Sequence, residues 1–339
     1  MPLIQNIVKN VLPALAISDE ALPALIEREY TENTLIICDP YNYPEFGRYV
    51  RKALVTSCSQ NVIKEIVRTY SYDKILAVGG CTVLDIARAC AGHAALICFP
   101  TILSTTCISC NRSKIQFTNG YRLIKTKQPL KTIISIPYLL QSKEEDLIKW
   151  TQSGFGDLFA NISASIDLQY QQRDLEIHKI RGNVIESFKA LDWVVDAFNG
   201  YDEKCLKTLA RYLHHSSIEV IKRNNTKLSS GSEHLLYHTI IKKNRPAVSA
   251  THGQIVGIGT LITAKVFSTL TGDDTLFDSL KESFHQLQLP ANFGQLRQIG
   301  IGKDAIIESL QAIPAKSGIL GDYFSNASSF DILDSIFGI

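Results

Sequence analysis

The strongest constraint in this chain is a change of rhythm near its middle. Over roughly the first 140 residues, short continuous apolar runs recur: Thr34-Leu35-Ile36-Ile37-Cys38, Lys74-Ile75-Leu76-Ala77-Val78, Ala94-Ala95-Leu96-Ile97-Cys98-Phe99 and Thr132-Ile133-Ile134-Ser135-Ile136, with a weaker run at residues 52–56. Runs without polar alternation describe strands covered on both faces. Helical patterns fill the gaps at about 60–70 and 82–92, which predicts a parallel sheet built from strand–helix–strand units. One interruption is visible. Residues 114–117 and 121–124 flank Thr118-Asn119-Gly120, and Asn-Gly between two such runs predicts a hairpin.

After about residue 143 the strand signals stop. Helical periodicity takes over at 152–171, 174–198, 203–223, 231–243 and 252–271. The expected architecture is therefore an α/β domain over 1–145 followed by an all-α domain over 146–339. A length of 339 residues suits two domains of ordinary size.

The formal net charge is +2, with no basic or acidic run, so neither nucleic acid nor an anionic membrane is an expected partner. Met1-Pro2-Leu3-Ile4-Gln5 lacks the pattern of a secretory leader. No apolar stretch reaches about 18 residues, so no spanning helix is expected, and the expected location is cytoplasmic. Most of the eight cysteines fall in apolar segments and read as buried reduced thiols. Cys107-Ile108-Ser109-Cys110 is a C-x-x-C without the second ligand pair that a zinc knuckle requires.

Val78-Gly79-Gly80-Cys81-Thr82-Val83-Leu84-Asp85 runs from a strand through glycines into a helix. Such a loop suits a pyrophosphate, because glycine lets the backbone approach and the helix start offers free N–H groups. A tight turn with no ligand is the competing reading. Asp39 ends the first strand, where an acid can accept from a ribose diol or cap a turn before Pro40. In the helical half, three segments carry polar residues at expected helix starts: Gly154-Phe155-Gly156-Asp157, Ser232-Glu233-His234 with His238 one turn on, and Thr251-His252-Gly253. A carboxylate and two imidazoles form the ligand set of catalytic zinc or a similar metal. His234 and His238 could also chelate as an i, i+4 pair, although packing is the plainer role for His238.

These motifs occur in a fixed order: Gly79-Gly80 with Asp85, Phe99-Pro100-Thr101-Ile102-Leu103-Ser104-Thr105, Gly156-Asp157, Gly231-Ser232-Glu233-His234, then His252-Gly253. The order resembles the superfamily of glycerol dehydrogenases, iron-containing alcohol dehydrogenases and dehydroquinate synthases. Ser230-Gly231-Ser232-Glu233-His234 with His252-Gly253-Gln254 looks most like its sn-glycerol-1-phosphate dehydrogenase branch. The resemblance implies a Rossmann-like first domain, a helical second domain and a cleft between them for NAD or NADP and a divalent metal. It implies Asp157, His234 and His252 as metal ligands, and Asp39, Gly79, Gly80, Cys81, Asp85, Thr101 and Ser104 around the cofactor. It also implies a homo-oligomer. Asn161 stands where iron-type members carry a further histidine, which points to a three-ligand zinc- or nickel-type site over an iron-type one. Cys81 replaces a family glycine, and Thr106 stands where glycerol and glycerol-phosphate dehydrogenases carry a substrate-holding aspartate. Arg112 and Lys114 could neutralise a substrate phosphate or form a solvated strand start.

The leading expectation is a metal-dependent, NAD(P)-linked oxidoreductase acting on a small polyol, polyol phosphate or matching ketone. A dehydroquinate-synthase-like cyclase or lyase that recycles its NAD is the second reading, with Arg112, Lys114, Lys242 and Lys243 as its candidate phosphate-grasping set. A non-catalytic homologue, motivated by Cys81 and Thr106, is the third.

Overall fold

The computed structural model describes residues 12–49, 51–244, 248–325 and 331–338; the reading of the first five residues falls outside these. The first half runs β1 (Ala14–Ser18), α1 (Leu22–Glu29), β2 (Thr34–Cys38), β3 (Lys52–Leu54), α2 (Gln60–Thr69), β4 (Lys74–Gly79), α3 (Cys81–Cys90), β5 (Ala95–Pro100), β6 (Arg112–Phe117), β7 (Gly120–Lys125) and β8 (Lys131–Ser135). Six of these strands form one parallel sheet in the order β1-β8-β5-β4-β2-β3, and β6 and β7 form the antiparallel hairpin apart from it. The continuous apolar runs now have their reason. Leu35 and Ile37 of β2 enter one core with Ile66, Val83 and Leu84, while Ile36 and Cys38 enter another with Leu22 and Leu25. A strand alternates its side chains between faces, so two covered faces demand apolar residues at every position.

β1 and α1 were absent from the sequence reading. β1 is half exposed and gains its identity by pairing with β8, a partner more than a hundred residues away. The chain order reverses between β2 and β4: from β2 it steps outward to β3, then returns to the other side. Ligands of open parallel sheets bind outside the carboxyl ends of strands at such a point. Asp39 follows β2 and Gly79 ends β4, so both lie there.

The second half contains no strand among the described residues. It runs α4 (Ile136–Leu140), α5 (Glu144–Gln171), α6 (Ile177–Asn183), α7 (Ile185–Ala197), α8 (Glu203–Arg223), α9 (Ser232–Asn244), α10 (His252–Thr271), α11 (Thr275–Gln286), α12 (Phe293–Gln298), α13 (Lys303–Gln311), α14 (Ile319–Ser325) and α15 (Asp331–Phe337). The expected helix over 174–198 is two helices, broken where Val184 leaves helical geometry with φ −137°. The expectation that no stretch could span a membrane is corrected. α10 is long and apolar enough by length and composition, but most of it is buried inside the helical half. A helix apolar all round is what a position surrounded by other helices requires.

α5 and α10 pack at backbone contact. A Cβ placed at Gly156 would lie 2.1 Å from the Gly253 carbonyl oxygen, and one at Gly253 would lie 1.8 Å from that of Ser153. Thr251 caps α10 through a capping box with Gln254, and Gln254 Nε2 donates to Gln152 Oε1 of α5 at 2.8 Å. α8 is tied to the loop after β5 by His214, whose Nδ1 lies 2.9 Å from Ser109 Oγ. Burial, with His215 beside it, pushes His214 down to about 4. Its neutral form is therefore favoured in the fold, whereas the unfolded chain takes up a proton below about 6.5. Stability is retained above that pH and falls as pH drops toward 4, by roughly 3 kcal/mol at the lower end. Urea titrations from pH 7 to 4 should show this loss in the native protein and a shallower one in His214→Gln. Equal slopes in the two proteins would remove His214 as the cause.

Candidate metal and dinucleotide site

Three residues from three helices meet at one point. Asp157 Oδ1 lies 3.2 Å from His252 Nε2 and 3.7 Å from His234 Nε2. The imidazole centroids are 5.1 Å apart. Among the described residues this is the one group of three or more such donors that converges, with all its ligand atoms within 4.8 Å of one another. His252 opens α10 and His234 lies in the first turn of α9, as expected. Asp157 does not open a helix. It sits in the middle of the long α5, and Gly154 and Gly156 are helical residues there rather than a turn. Their missing side chains serve the approach of neighbouring backbones: a Cβ at Gly154 would lie 2.2 Å from the Leu103 carbonyl oxygen.

The donor set fits a divalent metal. Tetrahedral zinc with bonds of about 2.0–2.2 Å separates its ligand atoms by roughly 3.4 Å, and the two observed separations bracket that value. Glu233, fully buried, holds His234 by its Nδ1 at 2.8 Å. An Nδ1–H donated to a carboxylate leaves the Nε2 lone pair facing inward and makes it more basic. The other Asp157 oxygen accepts from Thr106 N at 2.6 Å, Thr106 Oγ1 at 3.0 Å and Thr105 Oγ1 at 3.0 Å. Burial alone raises Asp157, but His252, His234 and the Thr106 N–H outweigh it and hold the carboxyl well below its usual range. Thr106 thus has a defined role where the sequence showed a missing acid: it orients a carboxylate.

Asn161 Nδ2 donates to Ser187 Oγ at 3.0 Å and Ser216 Oγ at 2.8 Å, so its amide is engaged away from the triad by α7 and α8. His238 faces Lys114 instead of joining His234 in the triad. Both its ring nitrogens lie 3.5 Å from Lys114 Nζ, and burial together with Lys114 pushes it down to about 4. Lys114 reaches over the rings of Tyr121 and Tyr237, and Tyr237 packs edge-on against His252 at 4.4 Å. Burial lowers the Lys114 ammonium. Arg112 is engaged elsewhere: its guanidinium donates to the carbonyl and side-chain oxygens of Asn224 and ties the hairpin to the end of α8. Lys242 and Lys243 lie exposed in the last turn of α9, Lys243 donating to the Glu308 carbonyl. The candidate basic set therefore does not converge.

The glycine loop stands at the sheet's carboxyl edge. A Cβ at Gly79 would lie 2.6 Å from the Val83 side chain and 2.8 Å from Asp39 Oδ2, so only glycine lets the loop turn so closely. Gly80 caps α3 without a side-chain hydrogen bond, which leaves the first N–H groups of the helix to an anion. Asp39 Oδ1 is held by Asn42, from its N–H at 2.9 Å and its amide at 2.8 Å. Cys81 is an exposed residue whose Sγ lies 3.4 Å from Ser104 Oγ. Thr101 continues the same edge, its N–H donating to the Gly79 carbonyl at 3.3 Å. Ser104 connects onward: its carbonyl accepts from Ser153 Oγ, which in turn accepts from the Gly253 N–H, each at 3.1 Å. Asp85 is also engaged. Its oxygens accept from Arg88 and from the Lys114 N–H, so it braces β6 against α3 instead of facing the loop.

Glu233, Thr105, Tyr237 and Asp167 were missed as site residues. Asp167 accepts from Ser232 N at 2.5 Å, Ser232 Oγ at 3.1 Å and Ile319 N at 2.6 Å, which seats the start of α9. Only Glu233, adjacent to His234, carried a local signal.

No family model matches the chain. A glycerol-1-phosphate dehydrogenase (NAD(P)+) of Methanococcus maripaludis is 24% identical over 282 residues, covering 80% of this chain and 81% of that one. The chain is similar to glycerol-1-phosphate dehydrogenases. Among solved structures, a probable glycerol dehydrogenase from Sinorhizobium meliloti superposes with TM-score 0.69 at 12% identity, covering 96% and 95% of the two chains. A 2-deoxy-scyllo-inosose synthase, complexed with carbaglucose-6-phosphate, NAD+ and Co2+, superposes with TM-score 0.61 at 16% identity, covering 88% and 85%. The glycerol-dehydrogenase and dehydroquinate-synthase-like fold expected from the motif order is thus the fold found.

Proposed function

We propose that this chain is a metal-dependent, NAD(P)-linked dehydrogenase of a small polyol phosphate, working between the alcohol and its ketone. The observation that carries the reading is the convergence of Asp157, His234 and His252, with Lys114 held over the ring of Tyr237, which packs edge-on against His252. Asp157, His234 and His252 would hold the metal, with zinc favoured by three N/O donors, and nickel or iron as alternatives. Asp39, Gly79, Gly80 and the start of α3 would hold the dinucleotide, with Cys81, Thr101 and Ser104 beside it. When bound, the metal supplies Lewis-acid polarisation of the reacting oxygen and the dinucleotide supplies hydride exchange. Thr105 and Thr106 fix the Asp157 carboxylate, and Glu233 fixes the His234 ring. Lys114 offers its ammonium to the substrate phosphate, while His238 stays neutral and adds no competing charge. A cytoplasmic setting and a homo-oligomer belong to the same reading.

The test is a coupled pair of assays on zinc-loaded protein with NADH or NADPH. Dihydroxyacetone phosphate should drive loss of nicotinamide absorbance faster than dihydroxyacetone does. Lys114→Met should raise KM for the phosphorylated ketone by about tenfold to a hundredfold and leave the unphosphorylated one little changed. Demonstrable dinucleotide binding with no turnover across a panel of phosphorylated and unphosphorylated ketones and polyols would sink the reading. Release of phosphate without net nicotinamide change would replace it with the cyclase.

A further inference from the structure

The loop that brings Thr105 and Thr106 onto Asp157 continues directly into Cys107-Ile108-Ser109-Cys110. The chain turns at residues 106–107 and bends at 108–109, a path that returns the fourth residue toward the first. Cys110 Sγ lies 3.5 Å from the Cys107 carbonyl oxygen and 3.3 Å from that of Arg112. Cys107 is partly exposed and Cys110 is buried.

A buried cation lies against this pair. Arg88, 1% exposed, donates to the Cys107 carbonyl and, at 3.0 Å, to Asp85 Oδ1, and its Nε is buried without a hydrogen-bond partner. A cation beside a thiol favours the thiolate, which is the reactive species. The neighbouring Cys107 thiol, aided by Arg88, outweighs burial and holds Cys110 below the usual thiol range, while the same pairing and burial raise Cys107. Cys98, also near Arg88, is instead pushed up to about 12 by burial. A metal does not account for the pair, because among the described residues it gathers no third donor.

We propose that Cys107 and Cys110 are a redox-active dithiol that closes to a disulfide on meeting a small-molecule disulfide, and that closure loosens the hold on Asp157. Cys107, the accessible sulfur, passes its proton to the Cys110 thiolate and attacks the small disulfide. A mixed disulfide forms on Cys107 and one small thiolate leaves. That thiolate takes the proton from Cys110, whose sulfur displaces the second small thiolate from Cys107, and solvent protonates it. Two cysteine sulfurs are oxidised and one small disulfide is reduced to two thiols. Closure draws Cys107 toward Cys110. Thr105 Oγ1 accepts from the Cys107 N–H at 3.2 Å, and Thr106 precedes Cys107 in the chain, so the donors to Asp157 move with it. Loss of such outer partners weakens metal affinity by about tenfold or more; this consequence rests on the metal reading above, whereas the disulfide does not.

The test equilibrates reduced protein with excess glutathione disulfide, alkylates the remaining thiols and maps the products by mass spectrometry. The expected result is a Cys107–Cys110 disulfide, reversed by dithiothreitol, with Cys110→Ser trapping glutathione on Cys107. Zinc affinity, measured by chelator competition, should fall about tenfold on oxidation and stay constant in a Cys107→Ser, Cys110→Ser double variant carried through the same buffers. Full alkylation of both sulfurs after equilibration overturns the dithiol. A disulfide that leaves zinc affinity unchanged overturns the link to Asp157. Protein that takes up no zinc in either state refutes the metal reading and the link together, while the mass measurement still decides the dithiol.

Discussion

Asp157→Asn should lose its metal and at least about a thousandfold in dehydrogenase turnover. Lewis-acid stabilisation contributes several kcal/mol to such a step, and about 4 kcal/mol corresponds to three orders of magnitude in rate. The substitution is nearly isosteric, yet its chemistry is wrong on one side. The donors Thr105, Thr106 N–H and Thr106 Oγ1 all meet one oxygen of Asp157, so the asparagine carbonyl must take that position. The amide nitrogen then faces His234 and His252, where Oδ1 now stands. It donates to their lone pairs and presents hydrogens to a cation. Elemental analysis and turnover measure the effect, with the melting temperature and nucleotide binding confirming a folded chain. A variant that retains one metal per chain and turns over within tenfold of the native protein would remove Asp157 from the site.

Gly253→Ala should be the most damaging single methyl in the molecule. Its Cβ would lie 1.8 Å from the Ser153 carbonyl oxygen and 2.5 Å from its carbon. Overpacking against side chains costs about 1–3 kcal/mol because side chains yield. Here the obstacle is the backbone of a helix, so α5 and α10 must separate, and a loss of at least about 3 kcal/mol is expected. At about 2.1 cal/mol/K of unfolding entropy per residue, that corresponds to a fall of at least roughly 4 °C in melting temperature for a chain of this length. Separation also carries His252 away from Asp157, so metal affinity should fall with stability. Gly182→Ala is the control, since its Cβ meets nothing within 4 Å. Thermal melts in the presence and absence of zinc separate the two effects. A Gly253→Ala protein with native melting temperature and native zinc affinity would contradict the packing described here.

Much of this was legible because the information was local. β2, β4 and β5 announce themselves by apolar runs, and the hairpin by Asn119-Gly120. The ends of those strands in turn locate Asp39 and Gly79. What escaped depended on distant partners. β1 is a strand only because β8 lies beside it. Gly154 and Gly156 resembled a helix start because two nearby glycines usually interrupt a helix, whereas here they admit the backbones of Leu103 and Gly253. Arg112 was read by its charge and Asp85 by its place in the motif order, and their partners Asn224, Arg88 and Lys114 show a bracing role. Thr106 looked like a lost acid until its bonds to Asp157 were visible.

The contact between Gly156 and Gly253 gives the metal centre the character of a vice. Asp157 and His252 form the fixed jaw, because their helices already touch and cannot close further. His234 comes from α9, which meets the pair through Glu233 and the clamp of Asp167 on Ser232. It is the opposing jaw. A change in the radius of a bound ion would then be met on the His234 side, by rotation of that imidazole, because α5 and α10 cannot approach further. Gly259, whose Cβ would lie 2.8 Å from that of Glu233, limits how far that jaw can advance.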